Sequence, residues 1–202
     1  MDQGRLAVPY QPRKFIGMLC PVIATGALVA CASSVDLGMG ASPAPPVVPR
    51  TTSARLTPAE RDFAMQAAAK GLYAVEVSRL AASRAVNPAV RKFAQTLVGH
   101  HMQSNSELTA LMNARGIAPP HTLAADKSAK LQRLASLPPS EAFDNGYIRV
   151  VGIEDHEEAI AIYERARAEA RDPELRVWIE RALPILRSDL SAAQTIAGTL
   201  AG

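Results

Sequence analysis

Three prolines set the helix plan of this chain, because each follows a residue that caps helices: Thr57-Pro58-Ala59-Glu60, Asn87-Pro88 and Asp172-Pro173-Glu174. A side-chain oxygen at the N-cap accepts from the first-turn amides, and a proline just after it loses no hydrogen bond there. Glu60 also completes a capping box with Thr57. The spacing predicts helices over 58–85, 88–115 and 173–198, the second stopping at Gly116 and Pro119-Pro120. Pro138-Pro139-Ser140-Glu141 opens a further long helix over 140–170, and a short one fills 123–136. Aromatic residues make up 4% of the chain while alanine is abundant, which favours helix packed on helix over a sheet core.

The octapeptides Asn87–Ala94 (NPAVRKFA) and Asp172–Ile179 (DPELRVWI) match in kind at nearly every position: cap, proline, apolar residue, arginine, aromatic. Each starts the second helix of a helical hairpin, and two related hairpins build a four-helix bundle.

Apolar residues recur at three-or-four spacing along all four long helices, and an ionisable residue interrupts each stripe. The stripes run Met65, Ala69, Leu72, Glu76, Leu80; Val90, Phe93, Leu97, His101, Ser104, Leu108; Phe143, Tyr147, Val150, Ile153, His156, Ile160; and Leu175, Trp178, Ala182, Ile185, Asp189, Ala193. Counted from the turns, Glu76 and His101 differ in height by about 4.5 Å, and His156 and Asp189 are nearly level. All four are thus expected near mid-bundle, with His100 on the margin. Such a set has two readings. Imidazoles and carboxylates together suit a transition metal such as Fe, Mn or Zn. Equally, Glu76 with His101, and His156 with Asp189, form metal-free buried pairs that fix helix register.

Gly99 and Gly152 lie near the histidines inside helices, where glycine either makes room for a ligand or lets helices approach closely. Pro184 is expected to kink the last helix one turn before Asp189.

The chain begins differently. Arg13 and Lys14 precede an apolar run from Phe15 to Ala30, about 24 Å long as a helix, which is short for a bilayer span and suits a signal-peptide core. The run ends Leu28-Val29-Ala30-Cys31, which resembles a bacterial lipobox, the pattern that leaves its cysteine N-terminal and lipid-modified; a plain signal peptide cut nearby is the other reading. Acylated Cys31 would hold the protein on a membrane, and Ala32 in place of an aspartate points to the outer membrane, on its periplasmic face. Residues 31–56 are rich in Ser, Pro, Gly and Ala without apolar period and read as a disordered tether. With Cys20 removed and Cys31 acylated, no disulfide is available, so the fold must rest on its core. Loss of Arg5, Arg13, Lys14 and Asp2 with the signal peptide leaves 19 basic and 18 acidic residues, and no basic cluster indicates nucleic acid.

The stretches AVEVSRLAASRAVNPAVRKFAQTLVGHHMQSNSEL, AFDNGYIRVVGIEDHEEAI and DPELRVWIERALPILRSDL resemble the bacterial domain-of-unknown-function 4142 family. The resemblance spans Arg61 to Gln194 and implies a ferritin-like helical protein of the cell envelope. Family members commonly carry Asp-His where this chain has His100-His101, a histidine like His156, and a histidine where Asp189 stands. Both departures exchange one ligand-capable residue for another. A di-iron site takes Glu-x-x-His from each of two helices, whereas Val98 and Ile153 stand three residues before His101 and His156; an oxygen-activating centre is not indicated.

The expectation is an all-α, ferritin-like up-down four-helix bundle over 57–198, with a short extra helix between its second and third long helices. A signal peptide over 1–30 and a lipidated tether precede it. The candidate metal ligands are Glu76, His100, His101, His156 and Asp189, and the metal-free bundle that serves a structural or partner-binding role is the alternative. No nucleophile–base pair, Gly-rich phosphate loop or paired-cysteine motif indicates an enzyme.

Overall fold

The computed structural model describes residues 55–201, and within them the chain is all helical. The expected signal peptide, Cys31 and all but the end of the expected tether lie outside the described residues. The helices are α1 (Pro58–Arg84), α2 (Pro88–Ala114), α3 (Ala125–Ala135), α4 (Glu141–Tyr147), α5 (Asp155–Glu169) and α6 (Pro173–Leu200). A π-helical segment, Ile148–Glu154, joins α4 to α5, so the third long helix runs on with one wide turn in its middle.

The capping residues act as the sequence predicts. Thr57 and Glu60 form the capping box of α1, Asn87 accepts from the Ala89 and Val90 amides, Ser140 accepts from the Phe143 amide, and Asp172 accepts from the Leu175 amide. Helices α1 and α2 pair along their length as one hairpin; α5 and the π-helical segment pair with α6 as the other, and α2 packs on α6 between them.

The repeated octapeptide carries a repeated set of hydrogen bonds. Arg91 donates back to the Ala85 carbonyl, and Arg176 donates back to the Ala170 carbonyl at the equivalent turn. Each turn is also capped by a carboxylate from the other hairpin. Buried Asp144 accepts from the Val86 and Asn87 amides at 3.2 and 2.7 Å. Buried Glu60 accepts from the Arg171 and Asp172 amides, both at 2.7 Å. One end has an extra clamp: Arg115, at the end of α2, donates through Nε and Nη2 to both carboxylate oxygens of Asp172. These contacts tie the two hairpins together at both ends, so the middle of the bundle does not have to supply that hold.

The apolar core falls into two clusters. One gathers Phe63, Leu108, Tyr163, Leu175 and Trp178, with Tyr163 edge-on to Phe63 at 5.1 Å between ring centres. The other gathers Val77, Phe93, Leu97, Phe143 and Tyr147, whose hydroxyl donates to Ser78. The stripe expected on α1 is out of phase with the observed one. Met65 is exposed, and the buried face runs Phe63, Ala67, Gly71, Val77, Ser78 and Ala81. Alanines on several sides of this helix leave its periodicity ambiguous, and Phe63 and Tyr73, the large aromatics, set the inward side.

Of the two glycines singled out, Gly152 is the close-contact one. A Cβ there would stand 2.8 Å from the Ala193 Cβ and 3.3 Å from Phe93. Gly99 faces open space. Pro184 stands within α6, which continues past it to Leu200.

Candidate metal centre between the two core clusters

The polar residues of the bundle interior meet where the two clusters adjoin. A cavity of about 50 Å³ lies there, with His100, His101, Asp155, His156 and Asp189 in its wall. Tyr163 and Leu186 of one cluster and Tyr73 and Val151 of the other also line it.

His156 owes its position to the π-helical turn. In an unbroken α-helix the residue over Val151 would be Asp155; the wider turn advances the register by one and puts His156 there instead. The imidazole Nδ1 lies 2.8 Å from the Val151 carbonyl oxygen. A carbonyl only accepts, so Nδ1 carries the proton and Nε2 presents a lone pair to the interior. His101 comes from α2 and faces it, with ring centres 5.7 Å apart.

Three fully buried side-chain polar atoms among the described residues lack a hydrogen-bond partner: His101 Nε2, His156 Nε2 and Asp155 Oδ2. All three belong to residues of this one cavity. Leaving such atoms unpaired costs about 1–3 kcal/mol each, so their concentration at one place calls for an occupant.

Burial holds the imidazoles neutral. It pushes His101 down to about 3, helped by the neighbouring His156 and His100. It also lowers His156, against the opposing pull of the Val151 carbonyl, Asp189 and Asp155. Neutral imidazoles are the form that binds metals.

Not all the expected residues meet there. Glu76 does not: its side chain is 41% exposed and ion-paired with Arg79 at 2.8 Å. The corrected phase of α1 explains this, since the inward side at that height is held by Tyr73 and Val77. The expected pairs are also rearranged. Asp189 is bound by His100, with Nδ1 2.9 and 3.0 Å from its two oxygens, while His101 has neither Glu76 nor any other partner for Nε2. His100, expected at the margin, is therefore the residue that orients the α6 carboxylate.

The sequence reading missed Asp155. The stripe drawn through Val150, Ile153 and His156 passes it by, whereas its Oδ2 is buried in the cavity wall. Its other oxygen is taken by Lys130 of α3 at 2.5 Å. Both carboxylates of the cavity are thus held by basic partners, Asp189 by His100 and Asp155 by Lys130. Among the described residues, no three His, Cys, Asp or Glu side chains converge as a ready-made metal site.

The depressed imidazoles predict an acid-labile apoprotein. Between their folded and unfolded pKa values the unfolded chain binds more protons, so stability rises with pH across that window. For His101 the stabilisation is complete above about 6.5 and is lost as pH falls towards about 3. Urea unfolding of metal-free protein should show stability falling between pH 7 and 5, by up to about 1.4 kcal/mol per pH unit for each histidine. A flat profile over that range would contradict neutral, buried histidines.

A family model described as "Domain of unknown function (DUF4142)" matches residues 45–196, and the chain belongs to that family. No curated protein matches it. Among solved structures it is similar to a crystal structure of a DUF305 fragment from Deinococcus radiodurans, at a TM-score of 0.64 and 18% identity, over 72% of this chain and 99% of that one. At that identity the likeness is one of fold.

Proposed function

We propose that this member of the DUF4142 family is a ferritin-like four-helix bundle of the cell envelope that holds a transition-metal ion on His101 and His156. The observation that carries the reading is a pair of neutral imidazoles whose buried Nε2 atoms lack a partner in the wall of one cavity. The hydrogen bond from His156 Nδ1 to a backbone carbonyl is the support a metal-ligating histidine ordinarily has. Asp189 supplies a carboxylate beside them, steered by His100, and Glu76 is no longer in the set. Imidazole with carboxylate suits Fe, Mn or Zn. Sequestration fits this donor set better than oxygen activation, because the Glu-x-x-His pairs of di-iron centres are absent from the sequence.

A second reading keeps the bundle metal-free, with water in the cavity and a structural or partner-binding role in the envelope. It is favoured by the lack of three converging ligands among the described residues, and the volume is enough for a few waters, at about 10–15 Å³ each. Spectroscopic titration with Co(II) separates the two. Ligand-field bands that saturate at one equivalent and vanish in His156→Ala support the metal; their absence in the unsubstituted protein sinks it.

We further propose that Cys31 is lipidated and anchors the protein to the outer membrane, facing the periplasm. No helix among the described residues is long and apolar enough to cross a membrane. Labelling with an alkyne fatty acid should be lost in Cys31→Ser; labelling that survives would end the lipoprotein reading.

A further inference from the structure

The short helix α3 lies against α1 and α4 and places two ammonium groups beside the cavity. Lys127 and Lys130 stand 5.3 and 5.9 Å from the centre of the Tyr73 ring, each as a cation over an aromatic face. Lys130 also reaches Asp155 Oδ1 at 2.5 Å, and the other oxygen of that carboxylate, Oδ2, is buried without a partner. The two ends of α3 are held differently. Its C-terminal end is fixed by Arg84, which donates to the Ala135 and Leu137 carbonyls. At its N-terminal end Ala124 offers no side-chain cap.

From this we infer that Lys130 and a metal ion compete for the Asp155 carboxylate, so that metal loading takes that carboxylate from Lys130 and loosens α3. The inference rests on the metal reading above and adds Asp155 as a ligand and α3 as the element that responds. A carboxylate held by a lysine is in the ionised form a metal requires. A doubly charged ion on Asp155 and the ammonium of Lys130 on the same group repel one another at this part-buried position, where water screens them only in part. Lys130 therefore gives way, and α3 loses its ion pair at the uncapped half while Arg84 retains the other end.

Opposite effects of two substitutions test this. Mn(II), Co(II) and Zn(II) are titrated into the full chain, purified without affinity-tag histidines, as the unsubstituted protein, as Lys130→Met and as Asp155→Asn. Removing the competitor is expected to tighten binding by about fivefold or more, and removing the ligand to weaken it by at least as much, the range in which coupled sites commonly fall. Hydrogen exchange needs no variant: amides of 125–135 should lose protection on loading, most at the N-terminal half. If metal binds but Lys130→Met leaves affinity unchanged or weakens it, or protection of α3 is unaltered by loading, the exchange is wrong while the metal site stands. If the unsubstituted protein binds none of the three ions, both are wrong.

Discussion

Glu60→Ala is expected to lower the stability of the fold by about 3 kcal/mol, a large loss for a residue far from the cavity. Burial alone would raise the pKa of this carboxyl, but the Asp172 and Thr57 amides, the Thr57 hydroxyl and the Arg171 amide together bring it down to about 2. A displacement from 4.5 to about 2 corresponds to about 3 kcal/mol in favour of the folded, ionised state. Because the folded pKa is depressed, this stabilisation is present above about 4.5 and lost as pH falls towards about 2. Alanine removes the acceptor and strands two amides of the α5–α6 turn next to the buried Arg115–Asp172 pair. Urea unfolding at pH 7 measures the effect. A loss below about 1 kcal/mol, the size of an ordinary surface cap, would show that the carboxylate does not hold the two hairpins together.

His101→Leu is expected to act in the other direction. A histidine kept in a core for structural reasons has its nitrogens satisfied, and replacing it destabilises. Here Nε2 is buried and unpartnered, so an apolar side chain of similar size removes a standing cost of about 1–3 kcal/mol. Metal-free His101→Leu should therefore melt at least about 3 °C higher than the metal-free parent, lose metal binding, and show a shallower pH dependence between 7 and 5. A lower melting temperature would mean that His101 belongs to the packing of the bundle. The opposition of stability and binding at one residue is the behaviour expected of a site maintained for its ligand.

The helix plan was legible because its signals are local. Thr57, Asn87, Ser140 and Asp172 cap helices whose ends fall within two residues or so of where these residues and the following prolines place them. The matching octapeptides likewise announced two equivalent turns. The carboxylates that cap those turns, Glu60 and Asp144, could not be seen as such, because each reaches a partner more than fifty residues away. At the cavity, His101 and Asp189 follow from three-or-four spacing, since bulky apolar neighbours such as Phe93 and Trp178 fix the phase of α2 and α6, whereas His156 lies inward because of the π-helical turn. Glu76 failed where the phase was set by alanines and small differences between faces. Asp155 was passed over because the expected stripe ran through Val150 and Ile153, whereas Val151 and Gly152 are the buried pair. His100 was placed at the margin, but its role in holding Asp189 depends on a contact between α2 and α6 that spacing within one helix does not reveal.

The cavity between the two core clusters is proposed to hold a metal on His101 and His156. Elemental analysis tests it most directly, on protein purified without affinity-tag histidines, beside His101→Ala and His156→Ala variants confirmed as folded by circular dichroism. Close to one equivalent of a first-row transition metal is expected after exposure to Fe, Mn or Zn and dialysis, with loss of that metal in both variants. Substoichiometric loading with every ion, or loading that survives both substitutions, would contradict it.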